Sequence, residues 1–118
     1  NIVTVSLTAP LVEALNLMNE KSVKALIVEK ANESDAYGIL TYKNILKAFV
    51  SSHGNIELLN VYDICTKPAI TISGELEIKY AAHMMVNQDI KRVIITKSNE
   101  LSGLLTMTDI VDTIINNK

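Results

Sequence analysis

The sequence has little of several things, and each scarcity removes a class of answers. Its 118 residues hold one cysteine, two prolines, four glycines, no tryptophan and 4% aromatic residues. A lone Cys65 forms no internal disulfide, so it reads as a small, semi-buried packing residue. With so few aromatics, the core must be built from Ile, Leu, Val, Ala and Met. No apolar run approaches the roughly twenty residues that a membrane span requires. An excess of basic charge is missing too. The net charge is -2, which argues against non-specific nucleic-acid binding and offers no attraction to anionic lipid. His53 and His83 have no carboxylate or thiol at metal-ligand spacing, so no metal site is expected. No nucleophile stands beside a base, and there is no Walker-type loop and no paired carboxylate, so no catalytic residue is named and no enzyme is expected. No secretory segment is expected before Ile2-Val3-Thr4-Val5, and a cytoplasmic location is expected. The start at Asn1, directly against that strand-like run, reads as a domain cut from a longer chain.

What is present favours folding, with 48% apolar and 20% charged residues. The length allows one ordinary domain or two very small ones. A repeat decides between these. Gly38-Ile39-Leu40-Thr41-Tyr42-Lys43-Asn44-Ile45-Leu46 returns 65 positions later as Gly103-Leu104-Leu105-Thr106-Met107-Thr108-Asp109-Ile110-Val111. Both copies spell Gly, two aliphatics, Thr, two variable residues, Asn or Asp, and two aliphatics. An apolar run entered through Gly reads as a short buried strand, and the spacing that follows reads as a helix. Thr with Asn or Asp three residues on is a capping-box-like start. A strand running straight into a helix also aims free N–H groups and the positive end of the dipole at one spot, where an anion is at home.

Taken in order, Ile2–Val5 reads as a strand. Thr8 then serves as N-cap, with Pro10 in the first turn of a helix whose apolar face is Leu11, Ala14, Leu15 and Met18. Ala25–Val28 and Tyr37–Leu40 read as a hairpin with a long polar loop. The second helix follows Thr41 and is expected to bury Ile45, Leu46 and Phe49. A connector, 54–68, carries a short helical turn around Val61–Ile64. The programme then restarts: a strand at Ile70–Ile72, a helix burying Ile78, Ala81, Ala82 and Met85, strands at Arg92–Thr96 and Leu101–Leu105, and a last helix burying Ile110, Val111, Ile114 and Ile115. Ala14 and Ala81, Met18 and Met85, Lys24 and Lys91, and Ile27 and Ile94 are each 67 apart. The drop to 65 after the hairpin loop means that the second loop is shorter by two. The chain therefore divides into a first repeat, 1–53, the connector, 54–68, and a second repeat, 69–118. These are two β-α-β-β-α copies of an α/β (α+β) class, each too small to bury its faces alone.

Two tandem copies with a Gly-aliphatic-aliphatic-Thr-x-x-Asp signature resemble a CBS domain pair, the Bateman module, from Ile2 to about Asn116. The resemblance implies two repeats packed with pseudo-twofold symmetry into one globule that leaves two clefts. It implies further that a cleft binds an adenosine-containing ligand: AMP, ADP, ATP or S-adenosylmethionine. Carried over, Asp109 takes the ribose hydroxyls, Thr106 sits by the phosphate and Leu104 lies beneath the base. Val3, Thr4 and Ala9 flank that ligand on one side, and Ser22, Val23 and Lys24 on the other. A second, weaker cleft uses Ile39, Thr41 and Asn44 with Thr71, Asp89, Ile90, Lys91 and Arg92. Asn44 stands where the pattern has Asp, so one ribose bond there lacks an ionised acceptor; charge-assisted bonds are about twice as strong as neutral ones. The resemblance also implies homodimers formed through helical faces, and control of an attached or separate effector protein. The leading reading is a regulatory adenosine-nucleotide sensor. The alternative is a dimerising interaction module without a ligand.

Overall fold

The computed structural model describes residues 2–116 and divides them into two compact units, 2–69 and 70–116. In the first unit, β1 (Thr4–Val5) is followed by α1 (Leu11–Lys21), β2 (Ala25–Val28), β3 (Gly38–Thr41) and α2 (Tyr42–Ser51). A 3-10 turn at Ile56–Leu58 and the one-turn helix α3 (Val61–Ile64) complete it. The second unit runs β4 (Thr71–Ser73), α4 (Ile78–Asn87), β5 (Arg92–Lys97), β6 (Glu100–Thr106) and α5 (Met107–Asn116).

Each unit holds a three-stranded sheet, ordered β1-β2-β3 and β4-β5-β6, with the first pair parallel and the second antiparallel. The repeat seen in the sequence is a repeat of register. Thr4 pairs with Ile27 as Thr71 pairs with Ile94, and Ala25 pairs with Thr41 as Arg92 pairs with Thr106. The shorter second loop is a tight turn at Ser98 and Asn99, both with positive φ, which small polar residues tolerate better than branched ones. The two α-to-β corners are also alike. Ser22 after α1 and Asp89 after α4 are left-handed, at φ 55 and 53.

Aliphatic residues build the two cores, as the shortage of aromatics requires. Leu11, Ala14 and Met18 on one face of α1 pack with Val5, Leu26, Val28, Leu40 and Val61. In the second unit Met85, Val93 and Ile110 form the centre, with Ile72, Leu105 and Met107 against it. Residues 54–68 fold onto the first unit. Leu11 donates its N–H to the Leu59 carbonyl at 2.8 Å, and Val61 donates to the Ala9 carbonyl at 2.9 Å.

Several expectations need correction. Thr8 is not the α1 cap: the helix starts one step after Pro10, without any side-chain cap, and the Thr8 N–H turns back to the Ser6 hydroxyl. Pro10 is not in the first turn either: it stands at the N-cap with an extended ψ of 144°, and the N–H of Leu11, the first helical residue, is satisfied by the Leu59 carbonyl. Leu46 and Phe49 are exposed on α2, where Ala48 is the buried contact. Ile78 is exposed on α4, and Val111, Ile114 and Ile115 are exposed on α5. The 3.6-residue period was real in each case. What the pattern lacks is a direction, since an apolar stripe on a short helix faces either the sheet or the outside.

Candidate functional site

In each unit, β3 or β6 runs into its helix without an intervening loop, because Thr ends the strand and also caps the helix. In the second unit the Thr106 N–H donates to Asp109 Oδ2 at 2.9 Å, and the Asp109 N–H donates to Thr106 Oγ1 at 3.1 Å. This reciprocal pair is a capping box. It uses one carboxylate oxygen. The other makes no hydrogen bond among the described residues, and the residue is exposed. The first α5 amide, that of Met107, donates to the Lys91 carbonyl at 3.1 Å, which ties the start of β5 to the start of α5. An ionised oxygen held at the positive end of a ten-residue helix is positioned to accept from hydroxyl donors.

The first unit repeats the box and then closes it. The Thr41 N–H and hydroxyl both donate to Asn44 Oδ1, at 2.8 and 2.9 Å, and the Asn44 N–H reaches Thr41 Oγ1 at 3.4 Å. Of the two ends of this amide only the carbonyl oxygen can accept from the Thr41 N–H, so its orientation is fixed. Its NH2 then points to Thr66 Oγ1, at 3.1 Å. Thr66 is itself anchored to Ile39 by two backbone bonds of 2.9 Å. Both ends of the Asn44 side chain are therefore engaged within the protein. Thr66 was not legible as a partner, since it stands 22 residues away in the connector and carries no local signal.

The other candidates gather at one end of each sheet. In the first unit, Val3 precedes Thr4, which opens β1, and the Val3 carbonyl accepts from Ile27 N–H at 3.0 Å. Ser22, Val23 and an exposed Lys24 lead into β2, whose first residue is opposite Thr41. Ala9 is buried away from that edge, with its carbonyl held by Val61. Ile39 is buried in the middle of β3. In the second unit, Asp89, Ile90 and Lys91 lead into Arg92, which is the cross-strand partner of Thr106. Thr71 opens β4, and Leu104 sits in β6 opposite Ile94. Within a unit, then, residues expected for the two different clefts stand side by side: Arg92 lies beside Thr106, and Lys24 precedes the partner of Thr41.

Cys65 is half-buried, and burial pushes its thiol above the ordinary value, partly countered by nearby Lys67. Met18 and Met85 are buried in the cores and Met84 and Met107 pack against one of them. No group of metal-ligating residues occurs among the described residues, and no helix there is long and apolar enough to cross a membrane.

Comparison with known proteins agrees with this architecture. The family model for the CBS domain matches residues 1–51 and 61–116. The uncharacterized protein MK0525 of Methanopyrus kandleri is 31% identical over 113 residues, covering 94% of this chain and 57% of its own length. The mitochondrial CBS domain-containing protein CBSX3 of Arabidopsis thaliana is 26% identical over 106 residues, covering 87% and 52%. The chain thus spans little more than half the length of these curated relatives. Among solved structures, a hexameric CBS-CP12 protein from bloom-forming cyanobacteria superposes with a TM-score of 0.88 at 30% identity, over 100% of this chain and 67% of that one. With two matched segments, a doubled fold in identical register and a capping Thr in each copy, this chain belongs to the CBS domain family.

Proposed function

We propose that this CBS pair is a regulatory module that binds an adenosine-containing compound, AMP, ADP, ATP or S-adenosylmethionine, and passes its occupancy to an attached or separate effector. The observation that carries the reading is the Asp109 carboxylate, with one oxygen spent on the helix cap and one left to accept from ribose hydroxyls. CBS domains commonly bind such ligands. Thr106 takes the phosphate side and Leu104 the base. Val3, Thr4, Ala9, Ser22, Val23 and Lys24 keep the roles that the family resemblance gives them. A set centred on Thr41 and Asn44, with Ile39, Thr71, Asp89, Ile90, Lys91 and Arg92, is the weaker one, because the Asn44 amide is neutral and already holds Thr66. The role is regulatory, not catalytic, and the cell compartment proposed is the cytoplasm.

Titration calorimetry of the protein against the four compounds tests this, with Asp109→Asn alongside. Asn44 fills the same place in the capping box of the first repeat, so the variant keeps the box and loses only the charge. Removing a hydrogen bond to a charged group costs about 1.5–3 kcal/mol, roughly a 10- to 150-fold rise in Kd. Binding with an unchanged constant in the folded variant would remove Asp109 from the site.

A second reading, self-association through helical faces, is favoured by the exposed aliphatic side chains of α2 and α5. The cyanobacterial relative at 30% identity is described as hexameric. Absence of heat with every adenosyl compound, from protein that is folded, free of carried-over ligand and dimeric in solution, would leave this reading in place of the sensor.

A further inference from the structure

The first unit has a cover that the second lacks. Residues 59–69 lie across one side of the first unit and bond to its backbone. Val61 and Tyr62 donate to the Ala9 and Leu7 carbonyls at 2.9 and 3.0 Å, Thr66 exchanges two bonds with Ile39, and Ala69 donates to the Tyr37 carbonyl at 2.8 Å. Val61 is part of the first core, with Ile64 and Cys65 packed against it. Leu11 and Ala9 are shut in, at 0% and 8% exposure, and a Cβ on Gly38 would meet the Thr66 carbonyl oxygen at 3.1 Å.

The equivalent places in the second unit are open. Ile78 and Leu76, 67 residues on from Leu11 and Ala9, are each 42% exposed. The Ile94 N–H is taken by the Ile70 carbonyl at 2.9 Å. Its cross-strand partner Leu104 therefore turns its own N–H and carbonyl to the outer edge of β6, where neither is bonded among the described residues. A Cβ on Gly103 meets nothing within 4 Å. The Ile78 N–H, at the start of α4, also lacks the carbonyl that Leu11 has. An open strand edge beside bare aliphatic side chains is a template for an added segment.

We infer that the occupant is the stretch of this protein that enters β1, the residues immediately ahead of Asn1 in the intact chain. The cover of the first unit is the lead-in of the second repeat, since Ala69 stands two residues before Thr71, the start of β4. The family match for the second repeat begins at residue 61, ten residues before Thr71, whereas that for the first begins at residue 1, three residues before Thr4. Counterparts of Val61–Lys67 therefore fall ahead of Asn1, and the open side of the second unit is the place left for them. There the stretch makes one helical turn with aliphatic residues over Leu76 and Ile78, then extends along β6 and exchanges two bonds with Leu104. Each lead-in thus covers the other repeat. The inference is independent of any ligand and of self-association through helical faces.

Amide hydrogen exchange of the intact protein and of residues 1–118 tests it, read at Leu104 and Ile78 with Ile39 and Leu11 as internal references. In residues 1–118 the first two amides exchange freely while the references are protected. In the intact protein Leu104 and Ile78 slow by about a hundredfold or more, toward the references. Replacing the stretch ahead of Asn1 by Gly and Ser restores fast exchange. Gly103→Ala, harmless in residues 1–118, lowers the Tm of the intact protein, because the added methyl group then meets the cover. Leu104 and Ile78 amides that exchange freely in the intact protein overturn the inference, as does protection that survives the Gly and Ser replacement. Protection already present in residues 1–118, or lost on dilution to the monomer, makes a second copy the cover and overturns it too. Circular dichroism checks that each chain is folded.

Discussion

The Asn44 side-chain NH2 donates to the Thr66 hydroxyl at 3.1 Å, and so fastens the start of α2 to the segment that pairs with β3. No such bond is made by Asp109, the equivalent residue of the second repeat, among the described residues. One box is thus closed inside the protein while the other leaves an ionised oxygen outside. Asn44→Ala removes the side-chain half of the capping box together with the tether, leaving its backbone N–H on Thr41 Oγ1, and is expected to lower unfolding free energy by about 1–2 kcal/mol. Thr66→Val removes the tether alone and is expected to cost less. Urea unfolding followed by circular dichroism measures both. Equal stability of Asn44→Ala and wild type would show that the amide does not hold these segments together.

The two signature glycines are expected to respond differently to a methyl group. A Cβ built on Gly38 meets the Thr66 carbonyl oxygen at 3.1 Å and the Val28 Cβ at 3.2 Å, neither of which is a flexible side-chain end. On Gly103 it meets nothing within 4 Å. Gly38→Ala therefore overpacks the junction of β3 with the connector, and about 1–3 kcal/mol of destabilisation is expected. Gly103→Ala is expected to be neutral or to stabilise by up to about 1 kcal/mol, through lower entropy of the unfolded chain. Thermal or urea unfolding of the two variants decides, and a Gly103→Ala loss as large as that of Gly38→Ala would reject the contrast.

Most of the fold was legible because the sequence repeats, and two copies correct each other. The strands, the hairpins, the capping boxes and the two-residue loop difference all follow from paired positions such as Ile27 with Ile94 and Thr41 with Thr106. Side-chain direction was harder. Leu46 and Val111 look like core residues in any periodic reading, and only the packed structure turns them outward. Thr8 looked like a cap because Ser, Thr, Asp and Asn favour that position, yet Pro10 stands at the N-cap two residues later. Of the candidate site, the Thr–Asp pair was legible from local spacing. The Asn44–Thr66 bond and the Arg92–Thr106 pairing depend on long-range register, and no short motif encodes them.

Acid should release the loop of the first hairpin. Lys67 forms an ion pair with the Asp35 carboxylate, which also accepts the Ala31 N–H at 2.7 Å. The Lys67 hydrogen bond, helped by the backbone donors, holds the Asp35 pKa down to about 2 from 3.8. Because the folded value is the lower one, the unfolded chain takes up the proton first as pH falls. The stabilisation from this pair is thus complete above pH 3.8 and is lost as pH drops toward about 2. Unfolding midpoints of wild type and Asp35→Asn are expected to differ at neutral pH and to converge over that interval. A gap that stays constant across it would mean that the carboxylate charge contributes nothing to the difference.

Leu40 and Leu46 are the same residue type six positions apart, and they test how the apolar surface is divided between core and exterior. Leu40 is fully buried in the first core, against residues that include Leu26 and Val61, whereas Leu46 is 65% exposed on α2. Truncating Leu40 to Ala removes buried methyl groups and leaves a cavity, for which about 2–5 kcal/mol is expected. Truncating Leu46 to Ala loses little buried area and gains slightly in helix propensity, so its effect on a dilute, monomeric chain is expected within about 0.5 kcal/mol. Concentration then separates intrinsic stability from association. If α2 is covered in a dimer, wild-type Tm rises with protein concentration by mass action, and Leu46→Ala flattens that rise while leaving the dilute value unchanged. A large loss for Leu46→Ala at every concentration would instead make this leucine part of the core of the single chain.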